Sequence, residues 1–512
     1  MPKEGQKIKV KALSGKTYTY VWTANPASGA MKEVYFAPDK SYVVAFFRKP
    51  LDANGLDRLK NLVGTYRESI FSAAGGDYWQ RVYCWPNDLI QDGERVGLVV
   101  PAYPKDFFFK YKGQKNDLKG VTKVGKWFTS PDLHFSHLDA REVGDWRSFF
   151  NISLLVARAI RRLHLAGLAH SDLSYNNVLI DPVTSSAAII DIDGLVVPGK
   201  YPPDVIGTPD FIAPEVYETM HLDNGNPKRK VPCQATDRHA LAVLIYMYLL
   251  CRHPLRGRQI CDLEDPQLDE RLSMGEQALF IENARNRANR YDERWVKDNY
   301  TKDKWPNLLP WMNLDKLPYT VCGPHLKPLF DRAFIEGLHA PEKRPAAFEW
   351  EEALIQTLDL LIPCENAKCP QKWFVFDNAA NRPRCPFCGT PYTHPLPVLN
   401  FYTRSANVYR PTGARVMVYN GTRLYPWHSD PHLARNEKLT DAQKRPMACF
   451  QFNRGQWYLR NEGSETMSLL KTHQDIPPKS AILLQDGVQI RLGGENARMI
   501  HVQIVNAATP HK

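Results

Sequence analysis

The chain has 512 residues, which is too long for one ordinary hydrophobic core and predicts about three domains. Its composition, 43% hydrophobic and 24% charged, excludes wholesale disorder. The longest apolar run, from Ala240 to Cys251, is shorter than the roughly 20 residues that cross a bilayer, and it is typical of a buried helix. The net charge of +11 is spread along the chain without a long basic block, so we do not expect a nucleic-acid partner.

The N-terminus and the cysteines indicate the compartment. The basic residues of the first segment are not followed by an apolar stretch, so the pattern is not that of a secretory signal. Six cysteines are scattered singly, mostly among apolar neighbours, as buried thiols are in a reducing compartment. These are Cys84, Cys233, Cys251, Cys261, Cys322 and Cys449. We therefore expect a cytoplasmic protein without a membrane partner.

The amino-terminal part of the chain alternates between strand and helix patterns. Gly29 stands just before the strand-like run EVYF, and the next strand pattern, YVVAFFRKP, ends near Lys49. A helix is predicted from about Gly55 to Phe71, with Glu68 as the acidic residue of its second half. The run RVGLVVPAYP at 95–104 predicts another strand.

The most informative segment is HSDLSYNNVLIDPVTSSAAIIDID at 170–193. Apolar residues at helical spacing over 149–163 predict an amphipathic helix that leads into it. Its first half, H-x-D-L-x-x-x-N, offers Asp172 to orient a hydroxyl nucleophile and Asn177 to hold a metal ion. Asp191 follows an apolar strand pattern that can aim its carboxylate at Mg²⁺. The spacing predicts phosphoryl transfer.

Three later motifs add context to this segment. The run GTPDFIAPE ends at Glu215, Asp237 opens an apolar helix, and Arg344 lies in PEKRPAAFEW. In order and spacing these motifs resemble the C-terminal lobe of the protein kinases. The resemblance covers about residues 15 to 360 and implies an α+β bilobal domain over 1–360, with an N-lobe up to about 103. It also implies that Arg344 pairs with Glu215.

The resemblance implies roles for the earlier residues as well. Gly29 matches the middle glycine of the ATP-binding loop. Lys49 is the candidate for the strand lysine that contacts the phosphates, and the absence of such a lysine is the alternative, since Phe47 falls where the family has it. Glu68 is the candidate for the carboxylate that holds the lysine. Asp172 would then accept the proton of a Ser or Thr hydroxyl, with ATP and Mg²⁺ as cofactors.

Positions 174 and 193 also depart from the family pattern. Ser174 stands where Ser/Thr kinases have a lysine that touches the transferred phosphate, so the missing cation has Lys32 and Lys200 as candidate replacements. Asp193 replaces the glycine of the usual Asp-Phe-Gly motif. Its carboxylate either takes part in metal binding or caps the following turn.

The segment between Gly194 and Ile212 bears on regulation. Serine at position 171 replaces the arginine that receives an activating phosphate in many regulated kinases. Tyr201 and Thr208 are the only hydroxyl side chains of the segment. Thr208 matches a threonine that bonds near the catalytic aspartate, so we expect activity without phosphorylation of this segment.

Four cysteines form two pairs in residues 361–395. Two thiolate pairs with short spacings can surround Zn²⁺ tetrahedrally, and so small a segment needs such a link to fold. The pairs are Cys364 with Cys369 and Cys385 with Cys388. The segment resembles a zinc ribbon, with zinc in a structural role.

Residues 396–512 break into short alternating runs between turns, which predicts an all-β sandwich. The run WYLRNEG, with Asn461, resembles the C-terminal half of a forkhead-associated domain. In that family the matching asparagine helps to bind a phosphothreonine peptide. A docking or structural sandwich without phosphate recognition is the favoured alternative.

The combination of domains resembles the bacterial kinase of tellurium-resistance-associated triads, with helix-hairpin-helix-associated bacterial kinases as a second family. The first resemblance implies a metal-dependent Ser/Thr phosphatase and a von Willebrand factor A protein as partners. We expect a Ser/Thr protein kinase with a protein substrate, and a pseudokinase scaffold is the alternative. A small-molecule phosphotransferase is disfavoured by the Ala-Pro-Glu segment at 213–215. The insertions 105–145 and 263–318 have no predicted role.

Overall fold

The computed structural model describes residues 2–28, 31–72, 75–203, 206–300, 308, 311–377, 382–406 and 408–505. The chain divides into two compact units. The first comprises Met1–Gly144, Asn151–Leu314 and Leu329–Glu351, and the second comprises Asp145–Phe150, Asp315–Pro328 and Glu352–Lys512. A search of the described residues finds no helix with the length and apolarity of a membrane span.

The first unit begins with two antiparallel sheets. A two-stranded sheet is formed by β1 (Lys7–Lys11) and β2 (Thr17–Val21), and a five-stranded sheet has the order β3-β4-β5-β7-β6. The strands of the larger sheet are β3 (Ala27–Ser28), β4 (Lys32–Phe36), β5 (Tyr42–Phe47), β6 (Asp88–Asp92) and β7 (Arg95–Pro101). Alternate residues of both sheets share one hydrophobic core that includes Tyr20, Tyr35 and Phe46.

The predicted helix over 55–71 is present, but it is not continuous. It consists of α1 (Ala53–Asn61), a wide π-helical turn at Leu62–Tyr66, and α2 (Arg67–Phe71). Asp52 caps the first turn, because its carboxylate accepts a hydrogen bond from the Gly55 amide at 2.7 Å. The extra residue of the π turn rotates the faces of α2 relative to those of α1.

Helices dominate the chain from residue 146 to 358. Their bounds are α4 (Trp146–Leu165), α5 (Pro214–Thr219), α6 (Gln234–Leu250), α7 (Pro266–Met274), α8 (Glu293–Asn299), α9 (Lys327–Asp331) and α10 (Ala347–Leu358), and α3 (Gly76–Val82) lies earlier, between α2 and β6. A short antiparallel hairpin, β8 (Val178–Asp181) with β9 (Ser186–Ile189), follows α4. Helix α6 is buried on almost every face, which confirms the prediction from its apolar run.

The insertion at 105–145 is tied to this hairpin by a buried ion cluster. Lys123 Nζ lies 2.8 Å from Asp181 Oδ1 and 3.0 Å from Glu142 Oε1, and each of the three side chains is only 2% exposed. A lysine so far from water needs both carboxylates, because an unpaired buried charge is costly. The insertion is therefore part of the folded first unit.

The second unit contains a small hairpin and two larger sheets. The hairpin pairs β10 (Leu361–Pro363) with β11 (Trp373–Val375). The sheets have the orders β13-β12-β21-β20-β17-β18 and β14-β15-β16-β19. The strands of these sheets are β12 (Leu396–Ser405), β13 (Val408–Met417), β14 (Arg423–Leu424), β15 (Ala448–Asn453), β16 (Gln456–Asn461), β17 (Met467–Leu469), β18 (Asp475–Ile476), β19 (Ala481–Leu483), β20 (Gln489–Arg491) and β21 (Met499–Val505). A short helix, α11 (Pro426–Ser429), lies between β14 and β15 in the chain.

The two larger sheets enclose one hydrophobic core. It contains Leu399 and Phe401 of the six-stranded sheet together with Phe450 and Leu459 of the four-stranded sheet. The prediction of an all-β region after residue 396 is confirmed.

Candidate active site

The β8–β9 hairpin brings two of the predicted metal-binding residues together. Asn177 directly precedes β8, and Asp191 follows β9 by two residues. The strands are antiparallel, with Val178 opposite Ile189, so both residues lie at the same end of the hairpin. The Ile190 amide donates to the Asn177 carbonyl at 3.0 Å and closes this end.

Asp172 is held by hydrogen bonds on both of its carboxylate oxygens. Asn177 Nδ2 donates to Asp172 Oδ2 at 3.0 Å and to the Asp172 carbonyl at 2.8 Å. Thr208 donates to Asp172 Oδ1 through its amide at 2.7 Å and its hydroxyl at 2.8 Å. Ser174 Oγ lies 3.1 Å from Thr208 Oγ1, so the serine in the lysine position joins the same network. The carboxylate of Asp172 is therefore fixed in one orientation.

A buried aspartate of α6 anchors the loop that carries Asp172. Asp237 is 1% exposed and accepts hydrogen bonds from the amides of His170 at 2.7 Å and Ser171 at 3.1 Å. His164 Nε2 lies 3.1 Å from Asp237 Oδ2. Ser171 has a left-handed φ of 68°, a strained conformation that these contacts hold in place. His170 Nε2 lies 3.1 Å from the Ile190 carbonyl oxygen, which fixes the loop beside Asp191.

The structure does not place Lys49 at this site. Lys49 is exposed beyond the end of β5, and the described residues provide it with no hydrogen bond or ion pair. Lys32 occupies the position instead: its Nζ lies 3.1 Å from Asp191 Oδ1 and 2.6 Å from Asp193 Oδ1. The lysine beside the metal-binding loop therefore comes from β4.

The register of β4 and β5 explains why Lys32 of β4 stands where a lysine of β5 was expected. Lys32 is directly opposite Phe47, the residue at the position where the kinase resemblance places a lysine. Side chains of directly opposed residues lie on the same face of a sheet. Lys32 therefore lies on the same face of the sheet as Phe47, on the neighbouring strand, with its Nζ 5.6 Å from the centre of the Phe47 ring.

The charges of this cluster shift one another's pKa values. Burial acts to lower the pKa of Lys32, but Asp193 and Asp191 outweigh it and hold that pKa above its usual value. Burial acts to raise the pKa of Asp191, but the Lys32 ammonium outweighs it and holds that pKa below its usual value. Burial raises the pKa of the Asp193 carboxyl. Asp191 is thus the carboxylate that stays ionised most readily.

Glu68 does not contact Lys32 either. It is exposed on α2, beyond the π turn that rotates this half of the helix. The other candidate cation, Lys200, is half-exposed and lies 3.6 Å from Asp57 Oδ2 on α1. The residue of α1 that acts electrostatically on Asp193 is Arg58, which is 7% exposed and donates to the Pro202 carbonyl at 3.2 Å.

The predicted pairing of Arg344 with Glu215 is confirmed. The guanidinium donates to both carboxylate oxygens, with Nη1 2.8 Å from Oε1 and Nη2 2.7 Å from Oε2. The Arg344 side chain is fully buried, and its remaining donors bond the carbonyls of Gly337, Leu338 and Ala235. This bidentate pair fixes the start of α5, which follows the segment 194–212 that contains Thr208.

The oxygen donors suit a magnesium ion. Because Asn177 Nδ2 is directed at Asp172, its Oδ1 is the atom left to bind a cation. The Asp191 side chain is 53% exposed, so its carboxylate can be approached from solvent. Carboxylate and amide oxygens are the ligands that Mg²⁺ prefers. Gly29, the candidate for nucleotide contact, lies outside the described residues.

The four paired cysteines also come together. Their Sγ atoms all lie within 4.8 Å of one another. Cys364 Sγ is 3.5 Å from Cys388 Sγ, and Cys369 Sγ is 3.9 Å from Cys385 Sγ. Four sulfurs around a zinc ion at bonds of about 2.3 Å stand about 3.8 Å apart. The cluster therefore has the donor set and the size of a tetrahedral zinc site.

The sandwich does not present Asn461 to a ligand. The side chain is fully buried, and its Nδ2 donates to the carbonyls of Glu465 at 2.8 Å and Ile476 at 2.9 Å. Its Oδ1 accepts the Gly463 amide at 3.0 Å. All of these partners belong to the sandwich itself, so Asn461 stabilises the turn after β16.

Sequence comparison supports the kinase resemblance over part of the chain. The chain is 30% identical over 126 residues, 24% of its length, to the death-associated protein kinase dapk-1 of Caenorhabditis elegans. It is 30% identical over 115 residues, 22% of its length, to the serine/threonine-protein kinase WNK8 of Arabidopsis thaliana. The matches span 8% and 20% of those two proteins. No protein-family profile matches the chain.

Comparison with solved structures returns protein-kinase folds. A Toxoplasma gondii virulence factor, described as having a protein-kinase fold and no enzymatic activity, aligns with a TM-score of 0.38 at 14% identity. That alignment covers 70% of this chain and 85% of the other. The autoinhibited serine kinase domain of the muscle protein titin aligns with a TM-score of 0.37 at 16% identity, covering 68% and 83%.

The first unit has a protein-kinase-like fold. Its strand-rich and helix-rich parts, its loop motifs and the sequence similarity to kinases agree on this class. Lys32 was predicted from the sequence only as a candidate replacement for the cation absent at Ser174; its place in the position expected for the strand lysine and its contact with Asp193 were not predicted. The position of Lys32, just before EVYF and opposite Phe47, was the available signal.

Proposed function

We propose that this chain is a protein serine/threonine kinase that uses ATP and Mg²⁺ and contacts the nucleotide through Lys32. The observation that carries the proposal is the convergence of Lys32 and Asp191 beside the network of Asp172, Asn177 and Thr208. Phosphoryl transfer depends mainly on positioning and on charge stabilisation. The cluster supplies one cation, two carboxylates and one amide oxygen for those tasks.

Each residue has a distinct role in this proposal. Asp172 accepts the hydrogen bond, and then the proton, of a Ser or Thr hydroxyl on the protein substrate. Asn177 and Asp191 hold Mg²⁺, which when bound neutralises charge on the phosphates. Lys32 orients the nucleotide phosphates, since an ammonium group is a compact point charge for phosphate.

The C-terminal modules serve docking in this proposal. A structural zinc ion held by the cysteine cluster stabilises a zinc ribbon, and the sandwich offers a folded surface for a partner. The resemblance of the whole chain to tellurium-resistance-associated kinases supports a metal-dependent Ser/Thr phosphatase and a von Willebrand factor A protein as partners in the cytoplasm. Internal hydrogen bonding of Asn461 favours docking over phosphothreonine recognition.

A scaffold without efficient phosphoryl transfer is the second candidate. Ser174 in the lysine position removes one cation from the site, and Lys32 is already paired with two carboxylates. Such a protein would bind nucleotide weakly and assemble partners through its C-terminal modules.

The two candidates differ in a single assay. Purified full chain is incubated with Mg²⁺ and radiolabelled ATP, alone and with a generic protein substrate, beside the variant Asp191→Asn. We expect label transfer by the parent chain and a loss of at least about 100-fold in the variant, because one metal ligand is lost. No label from the parent under either condition would favour the scaffold.

A further inference from the structure

Asp193 makes the closest contact with Lys32. Its Oδ1 lies 2.6 Å from Lys32 Nζ, whereas Asp191 Oδ1 lies 3.1 Å away. The side chains of Lys32 and Asp193 are only 18% and 15% exposed, so water screens this pair poorly. The Asp191 side chain is 53% exposed and is the more accessible of the two carboxylates.

The helix α1–α2 offers Lys32 no carboxylate of its own. Glu68 is exposed, and Asp57 is engaged by the Tyr201 hydroxyl and by Lys200. Arg58 on the same helix is 7% exposed and interacts electrostatically with Asp193. Among the described residues, the ion pairs of Lys32 are therefore those with Asp193 and Asp191 of the metal-binding loop.

The backbone accommodates a side chain at position 193. Asp193 lies in the short 3₁₀ turn Ile192–Gly194, and its φ is outside the left-handed region that favours glycine. Asp191, by contrast, has a left-handed φ of 58°. The two aspartates, although two residues apart, both pair with Lys32, but they differ in exposure, since the Asp193 side chain is 15% exposed and that of Asp191 is 53% exposed.

We propose that Asp193 is a positioning residue that holds Lys32 in place for the nucleotide, in place of a helix carboxylate. This inference rests on the proposed function. If Asp191 held a metal ion, its carboxylate would be shared between that ion and Lys32. Asp193 remains as the buried counter-ion that keeps the ammonium group directed at the phosphates. The position of Lys32 then does not depend on the position of the helix α1–α2.

Three variants of the full chain test the proposal. Asp193→Asn keeps the shape but removes the charge, Asp193→Glu keeps the charge but changes the length, and Glu68→Gln is the matched control on the helix. If Asp193 only fills space, the isosteric Asn variant is the better tolerated of the two. If its charge holds Lys32, the Glu variant retains more activity than the Asn variant.

The kinetic readout separates kcat from the KM for ATP. We expect Asp193→Asn to lower kcat by about 10-fold or more, Asp193→Glu to recover part of that loss, and Glu68→Gln to stay within about twofold of the parent. Loss in Glu68→Gln with normal Asp193→Asn kinetics would overturn the proposal. So would an Asn variant that is as active as the Glu variant.

A second readout does not require activity. Competitive acetylation of lysines, followed by mass spectrometry, reports how strongly Lys32 is held, because a paired ammonium group reacts slowly. We expect Asp193→Asn to raise Lys32 labelling by about fivefold and Glu68→Gln to leave it unchanged, with unaltered melting temperatures. Labelling that rises in Asp191→Asn but not in Asp193→Asn would overturn the proposal. If the parent chain showed this labelling pattern but no transferase activity, the proposed kinase function would be wrong, whereas the holding of Lys32 by Asp193 would still be supported.

Discussion

Lys32 and Phe47 face each other across two antiparallel strands, and this single pair decides where the cation of the site comes from. Lys49 lies two residues beyond Phe47 and beyond the end of the strand, where its side chain is exposed. A lysine on the opposed residue projects from the same face of the sheet as one at position 47 would. The aromatic ring beneath its ammonium group adds a favourable cation–π contact.

The two lysines can be compared directly. Lys32→Met should reduce phosphoryl transfer by about 100-fold, since the proposed contact of the Lys32 ammonium group with the phosphates is lost, whereas Lys49→Met should stay within about twofold of the parent. Steady-state kinetics of both variants, with melting temperatures to exclude unfolding, measure the difference. A large loss of activity in Lys49→Met with little change in Lys32→Met would show that Lys49 contacts the phosphates.

His253 is a buried neutral imidazole, and its titration affects stability. Its Nε2 lies 2.9 Å from the Asp210 carbonyl oxygen, and its Nδ1 accepts the Leu255 amide at 3.1 Å. Burial lowers the pKa of His253 from 6.5 to about 4. Between pH 4 and pH 6.5 the unfolded chain binds a proton at His253 and the folded chain does not. The stability that the neutral imidazole contributes is therefore complete above pH 6.5 and is lost as the pH falls toward 4.

His253→Gln should flatten this pH dependence. Glutamine offers a donor and an acceptor but does not titrate, so the slope of unfolding free energy against pH should fall by about 1.4 kcal/mol per pH unit between pH 4 and 6.5. Urea unfolding of parent and variant at a series of pH values measures both slopes. Parallel curves would show that His253 is protonated in the folded chain.

At the scale of elements, the segment after Asp193 is held by its own hydroxyl groups. Tyr201 is 3% exposed, donates to Asp57 and accepts from Asn61 Nδ2 at 2.8 Å. Thr208 is bonded to Asp172. A phosphate on either hydroxyl would break these contacts and add charge beside existing carboxylates.

Activity is therefore expected without phosphorylation of this segment. Phosphatase treatment of the purified chain should change its rate by less than about twofold, and mass spectrometry should find no stoichiometric phosphate on Tyr201 or Thr208. Phosphate on either residue that disappears together with activity would contradict this expectation.

The cysteine cluster is an element that depends on its metal. Removal of zinc with a strong chelator, or the variant Cys385→Ser, should lower the melting temperature of the second unit, because four thiols without an ion cannot hold so small a segment. Metal analysis should find about one zinc per chain in the parent. An unchanged melting curve in a metal-free chain would argue against a structural zinc.

At the scale of the whole molecule, the second unit includes residues from before position 360. Trp146, at the start of α4, is 1% exposed, its amide donates to the Gln371 carbonyl at 3.1 Å, and its ring lies 4.8 Å from that of Phe387. Truncation after residue 360 would expose this indole. A chain of residues 1–360 should melt at a lower temperature than the full chain and aggregate more readily, which scanning calorimetry and light scattering can measure.

Local patterns were enough to predict the motif residues Asp172, Asn177 and Asp191, the buried helix α6, the paired cysteines and the β-rich region. Each of these depends on neighbours in the chain, through apolar periodicity or short spacing. The source of the lysine and of its carboxylate could not be predicted in this way. The first depends on the register between β4 and β5, and the second on the π turn that rotates α2 and on the approach of Asp193 to the sheet. Tertiary structure alone decides such contacts, because they join residues that are far apart in the chain.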